Sequence, residues 1–146
     1  MRFAVLVLIL APFCAACGDD TPTTPSSTTP SRATERFDDI IDLRASRFFA
    51  FSVGSNGTTA INLASLSPLN RPGILVTTME LGWGKTLKDE AGTVIGCTLA
   101  KVTQTAPALA AQMNETLPPA SDYCANIADI GELREPANFS IRITHP

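Results

Sequence analysis

Arg47-Phe48-Phe49-Ala50-Phe51-Ser52-Val53 is followed by Gly54-Ser55-Asn56-Gly57-Thr58, and this stretch sets the fold. Phe49, Phe51 and Val53 fall on one side of a period-two pattern, the spacing of a half-buried strand. Asn56-Gly57 then predicts a tight hairpin, because that pair readily takes positive φ. The same period continues downstream, with Ile61 and Leu63 on one face. Two prolines and a glycine in Ser67–Gly73 interrupt any ladder. Leu75, Thr77, Met79, Leu81 and Trp83 are in phase from Ile74 to Trp83, and Lys85–Gly92 is polar and turn-like. Ile95, Cys97 and Leu99 align in a strand over Thr93–Val102. Tyr123, Ala125 and Ile127 align in the next, and Phe139, Ile141 and Ile143 in the last.

Ala106–Leu117 has the composition of a helix. It sits among strands and ends at Pro118-Pro119, so it is read as strand. Short strands every 8–15 residues or so, divided by Gly, Pro and Asn turns, predict an all-β, antiparallel sandwich of two sheets and about seven to nine strands. Parallel pairing would need long crossovers that these connections lack.

The first 34 residues have another character. One positive charge precedes an apolar run, Phe3 to Phe13, and small residues follow, which is the plan of a secretory signal. The run is about 11 residues, short of the roughly 20 that span a bilayer. Cys14-Ala15-Ala16-Cys17 resembles a lipobox. That resemblance implies cleavage after Ala16 and lipidation of Cys17, with Cys14 standing where leucine is usual. Gly18 rather than Asp after the cysteine favours, by the same resemblance, an outer over an inner membrane. Residues 18–34 hold almost nothing apolar and have Pro22, Pro25 and Pro30, so a disordered tether is expected. The division is therefore a signal over 1–16, lipidated Cys17 and linker over 17–34, and a sandwich over 35–146.

The chain has 11 Lys and Arg against 14 Asp and Glu, a net charge of −3. The basic residues are scattered, which argues against a nucleic-acid partner. Cys97 and Cys124 are expected to form a disulfide in an oxidising compartment. One tension accompanies this pairing. Cys97 is in phase with Ile95 and Leu99, whereas Cys124 is out of phase with Tyr123 and Ile127. Taken literally, those phases put the two sulfurs on opposite faces, unless a bulge or strand end intervenes.

Candidate chemistry is thin, and no metal or cofactor is expected. His145 is the single histidine, and no Gly-x-Ser-x-Gly turn accompanies it. Gly84-Lys85-Thr86 ends like a phosphate loop, but the required upstream glycine is Met79. Asp122, Asp129, Glu132 and Glu135 are grouped without a calcium-loop spacing and are read as solvated turn carboxylates. Trp83, between Gly82 and Gly84, is the candidate binding residue, because glycine neighbours can leave a ring uncovered, although its phase with Met79 and Leu81 favours packing in the core.

The C-terminal third carries a phrase with relatives. Asp122–Leu133, with its Asp129-x-Gly131 turn, and then Glu135–Pro146 resemble the ending of bacterial pre-peptidase C-terminal-type domains. Phe48–Val53 and the strand ending at Leu66 resemble their opening half. The resemblance covers about residues 35–146; it departs over 108–116, and Ser121 stands where a glycine is usual. It implies a jelly-roll-like sandwich that serves exported enzymes as a non-catalytic module. The expectation is a membrane-tethered binding or accessory module of the cell envelope, contacting protein or polysaccharide. The alternative is a purely structural envelope lipoprotein, and a small hydrolase is a third reading.

Overall fold

The computed structural model describes residues 31–71 and 73–146. The expected signal, Cys17 with its expected lipid and nearly all of the expected tether lie outside the described residues. Eight strands follow one another: β1 (Ala33–Ile41), β2 (Ser46–Val53), β3 (Gly57–Pro68), β4 (Met79–Lys88), β5 (Val94–Thr105), β6 (Met113–Leu117), β7 (Ala120–Ala128) and β8 (Ala137–His145). No helix interrupts them among the described residues.

The strands form two four-stranded antiparallel sheets in the orders β1-β8-β3-β6 and β2-β7-β4-β5. The first strand pairs with the last, the second with the seventh, the third with the sixth and the fourth with the fifth. The chain is thus one long antiparallel ribbon folded at its middle, then wrapped so that β3 meets β8 and β4 meets β7. That wrapping is a jelly roll.

Period two fixes which side chains meet between the sheets. Phe51 and Val53, Ile61 and Leu63, Tyr123, Ala125 and Ile127, and Phe139, Ile141 and Ile143 are all buried in one cluster. Phe49 packs against it from the rim, stacked on Phe37 with ring centroids 4.8 Å apart.

Several expectations need correction. Asn56-Gly57 is not a hairpin, because β2 and β3 belong to different sheets and the chain arches between them. Positive φ falls on Gly73, Gly92, Gly131 and Arg44, not on Gly57. What Gly57 supplies is clearance, since a Cβ there would lie 2.6 Å from the Pro146 ring. Second, the strand expected from Ile74 starts at Met79. Residues 74–78 lie alongside the end of β3, with the Leu75 N–H donating to the Leu66 carbonyl, while Ile74 and Val76 stay exposed. Third, β4 continues through Lys88, so the turn is confined to Asp89–Gly92 and closed by the Asp89 carboxylate, which accepts from Ala91 and Thr93. Fourth, only Met113–Leu117 of the ambiguous segment is strand. β1 also opens at Ala33, two residues ahead of the expected domain start.

Cys97 and Cys124 are disulfide-bonded, with Cα atoms 5.8 Å apart. The phase conflict resolves because the inward face of β5 was read backwards. Ile95 and Leu99 are exposed, and a bulge between the Trp83–Lys101 and Gly84–Leu99 pairs shifts the register. Both cysteines therefore lie on the outer face of β2-β7-β4-β5, with β4 between their strands. Gly84 is the position on β4 opposite Cys124. A Cβ there would come within 1.9 Å of the Thr98 carbonyl oxygen, so only glycine lets β5 fold this closely over β4.

Candidate functional site

The strand registers compose the outer face of β1-β8-β3-β6 row by row. Ile40, Asn138 and Ser67 stand side by side across three strands, then Asp38, Ser140 and Ser65. Arg36, Arg142 and Asn62 form the third row, and Thr34, Thr144 and Ala60 the fourth. The alternation that sends Phe139, Ile141 and Ile143 inward leaves Ser140, Arg142 and Thr144 on this side. Apart from Ile40 and Ala60, the four rows are polar.

Two depressions mark the face. One, of about 470 Å3, lies over Arg36, Asp38, Ser65, Ser67 and Asn138. The other, of about 330 Å3, lies over Thr34, Asn62, Arg142 and Thr144, with Leu109 and Ala111 at its side. Both volumes are in the range of small-ligand sites. In the first, Arg36 Nε donates to Asp38 Oδ1 at 2.9 Å. The Asp38 carboxyl is held below its ordinary value by the Ser140 hydroxyl first; burial opposes this, and Arg36 and then Arg142 add to the lowering.

The wall of the second depression is the 106–112 connection. Asn62, more than nine-tenths buried, donates from Nδ2 to the carbonyls of Ala108 and Ala110 at 2.8 and 2.6 Å. The Gln112 amide accepts from the Leu63 N–H at 2.8 Å and donates to the Leu63 and Ala106 carbonyls. Its side chain thus pairs with β3 as a neighbouring peptide unit would. This clamp fixes Leu109 in full exposure at the crest.

The residues singled out from sequence lie elsewhere. Trp83 is half-buried on the core side of β4, edge-to-face with Tyr123 at 6.1 Å. Gly82 and Gly84 clear space for β5 rather than uncovering the Trp83 ring. Cys17 is outside the described residues. His145 is buried beside Phe51, with Nε2 2.8 Å from Glu35 Oε1.

The four grouped carboxylates divide. Asp122 pairs with Lys85 at 2.6 Å and Glu135 with Arg71. Asp129 is not solvated: it is 7% exposed and accepts hydrogen bonds from the N–H groups of Arg44, Gly131, Glu132 and Leu133. Burial alone would raise its pKa, but these four donors outweigh it and hold the carboxyl below its ordinary value. Asp129 therefore ties the β1–β2 turn to the β7–β8 loop. Among the described residues, no three His, Cys, Asp or Glu side chains gather closely enough to hold a metal ion.

Arg142, Asn62 and Gln112 were missed from sequence. The alternation in β8 placed Arg142 on the outer side, but its neighbours come from β1 and β3, remote in the chain. No protein-family model and no curated protein sequence matches the chain.

Proposed function

We propose that this chain is a non-catalytic binding module of a bacterial cell envelope. It is held at a membrane by a lipid on Cys17, with an outer membrane favoured, and takes polysaccharide or protein on the outer face of β1-β8-β3-β6. One observation carries the reading. Three strands aim rows of hydroxyl, amide, carboxylate and guanidinium groups outward over two ligand-sized depressions, and a clamped loop walls one of them. A surface serving only solubility has no need of such a wall.

The eight-stranded jelly roll is compatible with the pre-peptidase C-terminal-type resemblance, in which such a sandwich accompanies enzymes without performing their chemistry. The one histidine favours a non-catalytic role, since its ring is buried and, among the described residues, hydrogen-bonds Glu35 and the Pro146 carbonyl rather than a serine or cysteine side chain.

Two measurements test the reading. Labelled palmitate should enter the full chain in a bacterial host and be lost in Cys17→Ser, with the protein moving to the soluble fraction; unchanged labelling refutes the anchor. The full chain should also bind saturably to purified envelope polysaccharides or envelope proteins, and Asp38→Asn with Asn138→Ala should weaken that binding. Absence of saturable binding across both panels would leave a structural lipoprotein.

A further inference from the structure

We propose that the depression beside Arg142 receives the carboxylate of an acidic oligosaccharide laid along the outer face of β1-β8-β3-β6. The proposal rests on the reading of that face as the binding surface and names its ligand class.

The two arginines of the third row differ. Arg36 is neutralised by Asp38 at 2.8 Å. Arg142, in the centre of β8, forms no ion pair among the described residues. It stands over a floor that adds no carboxylate of its own, with Thr34, Thr144 and Asn62 around it. A guanidinium presents a planar fork that matches a carboxylate in two parallel hydrogen bonds. In a chain of net charge −3, an unpaired cation in a concave site favours an anionic group there over elsewhere on the surface.

The rest of the depression suits a sugar ring. Thr34 and Thr144 hydroxyls, 3.0 Å apart, can each both donate and accept, as sugar hydroxyls do. Leu109, Ala111 and Ala60 supply apolar surface for the C–H side of the ring. Because Asn62 and Gln112 hold the loop in place, little ordering is left for the ligand to impose. Beyond Arg142, the Asp38, Ser65, Ser67 and Asn138 groups continue the hydroxyl-matching surface into the larger depression. Rows two residues apart repeat at about 6.6 Å, so the face accommodates several linked units.

A peptide fits this place less well. Extended peptides gain affinity by adding main-chain hydrogen bonds to a sheet edge. Here β8 and β3 are interior strands with partners on both sides, so their main-chain groups are already used. What remains is side chains, polar and spaced for a polyhydroxylated chain.

Calorimetry of the full-length chain tests this, with oligomers of galacturonic and of mannuronic acid as probes, the same oligomers methyl-esterified, and polyglutamate. The acidic oligomers should bind, with affinity falling as salt rises. Esterification should weaken binding at least tenfold, and Arg142→Gln should do the same without changing the melting temperature. Arg142→Lys should fall between, since a point charge keeps attraction but not the fork. Equal binding of the esterified oligomers, or unchanged affinity in Arg142→Gln, overturns the proposal. Polyglutamate binding as tightly, and displacing the sugars, overturns it in favour of a peptide. If neither acidic oligomer binds while a neutral envelope polysaccharide binds and is lost with Asn138→Ala, this inference fails and the binding face stands. If nothing binds, this inference fails, and the binding face then rests on the envelope-protein panel alone.

Discussion

The two outer faces of this sandwich are built from the same strand geometry and serve opposite ends. On β2-β7-β4-β5, the rows read Phe48, Asn126, Gly82, Val102 and Ala50, Cys124, Gly84, Leu99. Two glycines sit in the middle, β5 bends over them, and the disulfide locks the bend. On β1-β8-β3-β6 the corresponding rows carry serine, threonine, asparagine, aspartate and arginine, and among the described residues only the clamped 106–112 connection lies over them. One face spends its side chains on holding the chain together. The other commits Asn62 to its clamp, buries Ser140 and leaves Ser65 and Arg142 exposed.

That contrast makes substitutions unequal. Gly84→Ala should be the most damaging, above about 4 kcal/mol, because a backbone oxygen occupies the place of the new methyl group and β5 would have to lift. Urea denaturation followed by tryptophan fluorescence reads this, and a loss under 1 kcal/mol would show that β5 does not lie where the structure places it. Replacing Cys97 and Cys124 with serine together should cost about 3–4 kcal/mol, the chain-entropy value for a loop of 27 residues. A double variant as stable as the parent would mean that the bend holds without its covalent link.

Gln112→Ala should cost about 1–3 kcal/mol, since the Leu63 N–H and two carbonyls lose their partner together. Hydrogen exchange should quicken at Leu63 and not in β7. Asp129→Asn acts through pH. The folded carboxyl titrates below its reference value of 3.8, so its contribution is whole above that pH and is lost as pH falls through the folded value. The parent should therefore lose stability on acidification more steeply than the Asn variant, and parallel acid limbs would remove the carboxylate's assigned role. Last and smallest, Arg142→Gln, at an exposed position, should shift stability by less than about 0.5 kcal/mol, and Asn138→Ala, half-buried, by little more. A larger loss would mean that the polar face is structural after all.

Much of the architecture was legible in the residues, because burial between two sheets selects every second side chain and that selection survives in Phe49–Val53, Ile61–Leu63, Tyr123–Ile127 and Phe139–Ile143. Failures came where a local signal had two physical explanations. Asn56-Gly57 is compatible with positive φ or with close approach, and only the position of Pro146 decides. The alternation of Ile95, Cys97 and Leu99 was right in period and wrong in direction, because a bulge near Ala100 turns the strand over and no composition rule announces it. The polar face was half legible: Ser140, Arg142 and Thr144 had to oppose the core. Their company of Arg36, Asp38 and Asn62 depends on pairings that bring together strands far apart in the chain, which no local pattern encodes.

The nested pairing of the ribbon carries a consequence for how the molecule comes into being. Ala33 is matched with His145, and Ile41 with Ala137. Synthesis runs from the amino end, so β1 is the first strand made and the last to find a neighbour. It waits through the making of seven others with both edges bare. Closing a span of that length is slow by comparison with the hairpin of β4 and β5, which can zip as soon as Thr105 is in place. The sandwich should accordingly grow from its middle outward, and its earliest-born segment should be the final seam to shut.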